Sequence, residues 1–179
     1  MEKHFDNLKK TYDEFENFLL KNGQLIAKDT GIGFWGVTPL KDVFELFKKV
    51  KLNEHSTFVD LGSGDGRVVL LASIFGLKAT GLEADSWLVN VSLDIKNKLD
   101  IPHFDNVTIL RKDFNEHSVS NHDVVYVSPD KPFHRGLESK LQKELDGMLI
   151  VHGHEFLPSG FNKVNEFLID GERFTIYNK

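Results

Sequence analysis

A chain of 179 residues has the length of one domain and can bury a substantial core, and its 22 basic and 27 acidic side chains leave a formal net charge of −5 with a pI near 5.9. That balance argues against a globally basic nucleic-acid surface, which needs clustered Lys and Arg to neutralise phosphates. The absence of cysteine excludes disulfides and thiolate metal sites, the start at Met1, Glu2, Lys3 and His4 is charged, and no apolar run approaches a membrane span, so a cytoplasmic protein with no membrane partner is expected.

Phe5, Leu8, Tyr12, Phe15, Phe18 and Leu19 recur at three- and four-residue spacings, which predicts an amphipathic packing helix over residues 4–22, ended by Asn22 and Gly23. A second helix is expected over 39–50, with Thr38 as N-cap, Pro39 at the first helical position, and Leu40, Val43, Phe44, Phe47 and Val50 on one face. Strand and helix then alternate: strand 57–61, helix 65–75, strand 78–82, helix 86–99, strands 106–110 and 123–128, helix 133–145 and strand 147–152. Such alternation predicts βαβ units in a mostly parallel, Rossmann-like α/β sheet. Residues 163–168 and 172–177 flank Asp170-Gly171, a two-residue hairpin signal, so the sheet should close on an antiparallel pair. No repeat or linker divides the chain, and a single domain over 1–179 is expected, with 1–50 as a helical cap and 51–179 as the core.

The most informative stretch runs from Phe58 to Arg67: an apolar run ends at Asp60, and Gly62, Gly64 and Gly66 then turn the chain into a helix. Glycines let a ligand approach the backbone with no Cβ in the way, and tight turns often need positive φ. A dinucleotide fingerprint, G-x-G-x-x-G, would put glycine at position 67, which is Arg. The spacing G-x-G-x-G after Asp-Leu instead resembles motif I of the Rossmann-like S-adenosylmethionine (SAM) methyltransferases. An acid there would repel a pyrophosphate, yet it can attract the cationic end of SAM or accept a hydrogen bond through water. Glu83 ends the next strand, at the separation where nucleoside-binding α/β folds place an acid for the ribose hydroxyls; its bland alternative is to cap the helix starting near Ser86.

With Asp113 after the third strand and the run from Val124 to Asp130 ending the fourth, the motif order over residues 34–154 resembles class I SAM-dependent methyltransferases. The resemblance implies a three-layer, seven-stranded sheet, mostly parallel with a C-terminal antiparallel hairpin and preceded by N-terminal helices. It implies SAM as cofactor, and it implies that Asp113 accepts the adenine amino proton with Phe114 against the ring. A solvated Asp113 and a core Phe114 are the alternative. Together with Phe34, Trp35, Gly36, Val37, Thr38 and Pro39, the turn looks like that of the small archaeal protein lysine methyltransferases related to the histone-lysine enzymes without a SET domain. That likeness implies that Trp35, Thr38 and Pro39 border the methionine end of the cofactor.

Tyr126, Ser128, Pro129 and Asp130 fall where the fourth strand meets the ligand crevice of such folds. Enzymes that methylate amide or adenine nitrogens carry an Asn/Asp-Pro-Pro-aromatic motif; here Ser128 takes the first position, Asp130 replaces a proline, and the aromatic is displaced to Phe133. An anionic Asp130 suits an ammonium-bearing acceptor, whose proton must leave before attack. Tyr126, Ser128 and Asp130 are therefore the expected catalytic residues, against the alternative of a turn in which Ser128 and Asp130 cap the next helix. Protein lysine is the acceptor expected first, a small molecule second and RNA third; a SAM-binding partner subunit without activity is the alternative of another class. His152 and His154, two apart on a strand, should share a face, yet without a third ligand they are expected to hold no metal. His117, His122 and His134 show no pattern.

Overall fold

The computed structural model describes residues 1–133 and 136–179. The chain opens with α1 (Glu2–Lys21), which buries Phe5, Leu8, Tyr12 and Leu19 and leaves Phe18 in solvent; it ends where Gly23 takes φ 71°. Two short strands, β1 (Ala27–Asp29) and β2 (Phe34–Gly36), then form an antiparallel hairpin that the sequence pattern does not predict. The second helix, α2 (Leu40–Lys49), starts one residue later than expected. Pro39, not Thr38, is its N-cap, with its carbonyl accepting from the Asp42 and Val43 amides at 3.2 Å.

The alternation follows: β3 (Thr57–Leu61), α3 (Arg67–Ile74), β4 (Lys78–Glu83), α4 (Ser86–Lys98), β5 (Val107–Arg111), β6 (Val124–Val127), α5 (Leu137–Glu144), β7 (Met148–His152), β8 (Asn162–Ile169) and β9 (Glu172–Asn178). The third helix starts at Arg67, after an N-cap at Gly66, because residues 63–66 are spent on a turn closed by the Gly66 amide on the Ser63 carbonyl at 2.9 Å. The helix expected over 133–145 begins only at Leu137, behind Gly136 at φ 82°; residues 134 and 135, including His134, lie outside the described residues. The hairpin signal is borne out, since Asp170 and Gly171 both adopt positive φ, 46° and 99°.

The seven strands lie in the order β5-β4-β3-β6-β7-β9-β8, with β9 antiparallel to both its neighbours and the rest parallel. Buried on both faces, β3, β6 and β7 carry near-continuous apolar runs, as central parallel strands require. One face packs Phe58, Val124, Tyr126, Ile150 and Phe174 against α1, α2 and α3; the other packs Val59, Val125, Val127, Leu149 and Val151 against α5, which gives three layers. Every residue of α3 is buried, so its lack of a polar stripe is a consequence of its position. The outer strand β8 is largely exposed and carries a register shift between Lys163 and Asn165. From β3 the chain runs outward to β4 and β5, then crosses back to β6 on the other side of β3. That reversal opens a crevice at the carboxyl ends of the strands. No helix among the described residues is long and apolar enough to cross a membrane.

Candidate functional site

A cleft of about 700 Å³ occupies that crevice, within the range of small-ligand sites. Its floor is the glycine turn. The Gly62 and Ser63 amides both donate to the Leu82 carbonyl at 2.9 Å, which pins the turn to β4. Gly62, at φ 81°, has nothing within 4 Å of where a Cβ would project. Gly64, at φ 55°, is different: a Cβ there would stand 2.8 Å from Trp35 Cδ1. Gly66 rests against the Ser92 side chain, whose hydroxyl donates to the Gly64 carbonyl at 3.3 Å. The turn is thus wedged between α4 and the cap segment, and one face is left free.

Acids crowd this floor. Asp60 is 3% exposed, and no hydrogen bond among the described residues reaches its carboxylate. Burial first, then the charges of Glu83 and Asp65, push its carboxyl well above the usual range. Glu83 ends β4 with one oxygen accepting from the Gly64 amide and the other from the Asp85 amide, both at 2.8 Å. It therefore braces the turn and does not cap α4; Asp85 does that, accepting from the Leu88 amide at 3.0 Å. An isolated buried acid facing a Cβ-free backbone fits a ligand with a cationic amino group, as SAM has.

Beneath the turn lies a cluster that sequence reading missed. Arg67, 3% exposed, forks onto both oxygens of Asp65 at 2.7–3.1 Å and donates through Nη1 to Glu16 at 2.8 Å and to the Thr38 carbonyl at 3.2 Å. Tyr12 donates its hydroxyl to the Asp65 carbonyl at 2.7 Å, and its ring lies under the guanidinium, 4.5 Å away. Burial alone would lower the Arg67 pKa, but the charge and hydrogen bonds of Asp65, with Glu16, more than offset it and raise the value. Helix α1, the segment before α2 and the glycine turn are held by one side chain.

The opposite wall is looser. Thr30, Ile32, Gly33 and Phe34 of the β1–β2 hairpin meet Ser128, Pro129 and Asp130 after β6. Asp130 accepts from the Phe34 amide at 2.7 Å, and Lys131 donates to the Ile32 carbonyl at 2.8 Å. Ile32 and Phe34 are each 61% exposed at this rim, and the Asp130 side chain keeps 34% of its surface in water. Asp113 is exposed beside the cleft; its Oδ1 takes both the Asn115 amide and Nδ2 at 2.9 Å, while Phe114 packs partly against the α5-side core. Neither Ser128 nor Asp130 caps α5, which has no side-chain cap.

Of the residues expected at the site, Trp35, Thr38, Asp60, Gly62, Gly64, Glu83, Asp113, Phe114, Tyr126, Ser128 and Asp130 all line the cleft. Pro39 and Gly66 do not; the first starts α2 and the second starts α3. Tyr126 is 1% exposed, with its hydroxyl 2.9 Å from His152 Nδ1. His152 and His154 do not share a face. The strand stops at His152, Gly153 turns the chain at φ 109°, and His154 is left in solvent while His152 is buried. Among the described residues no cluster of His, Asp and Glu could hold a metal ion.

Residues 33–168 match the family described as histone methylation protein DOT1. The chain is 30% identical over 127 residues to a protein-lysine N-methyltransferase of Saccharolobus islandicus, a match covering 70% of this chain and 78% of that protein. A 40-residue stretch is 52% identical to an ATP synthase lysine N-methyltransferase of Caenorhabditis elegans, spanning 22% of this chain and 21% of that one. Among solved structures, an RNA methyltransferase from Salinibacter ruber in complex with S-adenosyl-L-homocysteine aligns with a TM-score of 0.63 at 23% identity, covering 79% of this chain and 92% of that chain. At that identity the likeness is one of fold.

Proposed function

This chain belongs to the DOT1 histone methylation family and is a SAM-dependent methyltransferase, and from that premise we propose that its acceptor is the side-chain amine of a lysine carried on a protein segment. The observation that carries this reading is Asp130, a partly exposed carboxylate at the rim of the cleft, fixed through the Phe34 amide and free to attract an ammonium group. The lysine methyltransferases similar to this chain favour the same acceptor.

Bound SAM supplies a methyl group on a sulfonium, which a nucleophile in line with the sulfur can take without a covalent enzyme intermediate. The protein's part is position and desolvation, worth up to about 7–11 kcal/mol in well-oriented intramolecular reactions. In this reading Asp60 holds the amino end of SAM, with Gly62 and Gly64 giving backbone access and Gly66 shaping the turn. Glu83 accepts from the ribose hydroxyls with the lone pairs its two backbone bonds leave over. Asp113 takes the adenine amino group through its free Oδ2, and Phe114 lies against the ring. Trp35 and Thr38 border the methionine end; Pro39 contributes by starting α2. Tyr126, Ser128 and Asp130 receive the acceptor. Residues 1–179 act as one methyltransferase domain, capped by 1–50.

Incubation with methyl-tritiated SAM and a nuclease-treated whole-cell protein extract, followed by acid hydrolysis, should yield labelled N-methyllysine. Label confined to RNA or to small molecules would overturn the acceptor, and SAM binding without any transfer would point to a non-catalytic partner subunit.

A further inference from the structure

Tyr126 stands in the cleft wall and is tied inward: its hydroxyl lies 2.9 Å from His152 Nδ1, and His152 Nε2 lies 2.7 Å from Glu172 Oε2. These residues come from β6, β7 and β9, so the string crosses three adjacent strands on the face that also carries Asp60, the register partner of Tyr126. The ring of His152 is fixed from the other side by Phe174, stacked at 4.4 Å.

The chemistry of the outer end sets the polarity of the whole string. A carboxylate only accepts, so the hydrogen of the neutral imidazole must sit on Nε2 and point at Glu172. His152 Nδ1 is then a bare acceptor, and the Tyr126 hydroxyl must donate to it. We propose that Glu172 and His152 lock the Tyr126 hydroxyl inward, so that its oxygen offers the cleft lone pairs only and receives an N–H of the acceptor amine. This deepens the lysine reading and rests on it. Tyr126 is the group that touches the acceptor; His152 and Glu172 are positioning residues. One N–H held by Tyr126 leaves the amine free to turn its lone pair to the methyl group once its surplus proton has left, and an acceptor with no N–H gains nothing at this position.

The surroundings keep the imidazole neutral. Burial pushes the His152 pKa down, against the opposing pull of Glu172 and of Asp42, which faces it from α2. Tyr126 is held as a phenol, its pKa pushed well above the usual value by burial and by the charges of Asp60 and Glu172. Protonation of His152 in acid would place a hydrogen on Nδ1, turn the hydroxyl outward and remove the acceptor.

The test pairs a spectrum with a rate. Long-range proton–nitrogen NMR of the intact protein should show His152 as the Nε2–H tautomer, and Glu172→Lys, which presents a donor in place of an acceptor, should convert it to Nδ1–H. In the same variant the initial rate of N-methyllysine formation from the extract should fall about tenfold, the weight of one hydrogen bond to a charged group, with the SAM Kd unchanged. Tyr126→Phe, which keeps the ring and loses the oxygen, should show a similar fall. An Nδ1–H tautomer in the wild type, or a converted tautomer with an unchanged rate, overturns the string alone. A wild-type protein that forms no N-methyllysine overturns the acceptor reading and the string together.

Discussion

The two walls of the cleft are built to different standards. On the glycine side nearly every group is fixed by buried partners: Arg67 by Asp65, Glu16 and the Thr38 carbonyl, Tyr12 by the Asp65 carbonyl, Glu83 by two amides. On the other side, the hairpin tip and the segment after β6 are joined by two bonds at the surface, Asp130 to Phe34 and Lys131 to Ile32. The first wall is preorganised for one ligand, since its groups cannot move without leaving charge buried. The second can yield to an incoming chain at little cost, because water replaces what is lost.

The contrast can be broken most forcefully at Arg67. Arg67→Ala leaves Asp65, itself 2% exposed, without its countercharge, and removal of one partner from a buried ion pair costs about 3–5 kcal/mol. Urea unfolding should show a loss of that size, and a loss below about 1 kcal/mol would mean that the glycine wall is no stiffer than the rim.

Asp60 sharpens the comparison in the opposite direction. Its carboxyl is raised by burial, so the unfolded chain releases this proton first, and the stability associated with the protonated acid is present below about pH 4 and lost as pH rises. Asp60→Asn should therefore stabilise the ligand-free protein at pH 7, by about 1 kcal/mol or a Tm rise of roughly 2–4 °C, while weakening SAM binding about tenfold. Scanning calorimetry and titration calorimetry read the two effects, and a variant that lost stability would show that the acid is satisfied without a ligand.

The smallest effect belongs to the rim. Asp130→Asn keeps an oxygen for the Phe34 amide and removes the charge, so the acceptor KM should rise about fivefold, equivalent to about 1 kcal/mol for an exposed ion pair, with the SAM Kd unmoved. A change in SAM affinity would mean that the walls are coupled.

The sheet was legible because its signals are local. Val124–Val127 and Thr57–Leu61 are short apolar runs, Asp170-Gly171 is a turn that names itself, and the glycine spacing marks the cleft floor. What escaped depends on distance or on too few residues. The strands of the β1–β2 hairpin are three residues each, too short for an alternating pattern. Arg67 reads locally as a residue that spoils a dinucleotide fingerprint, and nothing nearby announces that Glu16, 51 positions away, completes its site. His152 and His154 mislead because alternation holds only while the strand continues, and Gly153 ends it. For the same reason Glu172 gave no signal: it meets His152 only after β9 has folded back beside β7.

Far from the cleft, β8 has a bearing on how the protein behaves in a crowd. An open sheet invites a second copy to add its own strand at the rim, and growth of that kind ends in aggregates. Here the rim is kinked between Lys163 and Asn165, and Glu166 is bound to both Lys163 and Arg173, which sets charge between the exposed Val164 and Leu168. A strand approaching that border meets neither a flat ladder nor a continuous apolar strip, so the sheet stops at seven strands and the molecule can be abundant without polymerising along its own edge.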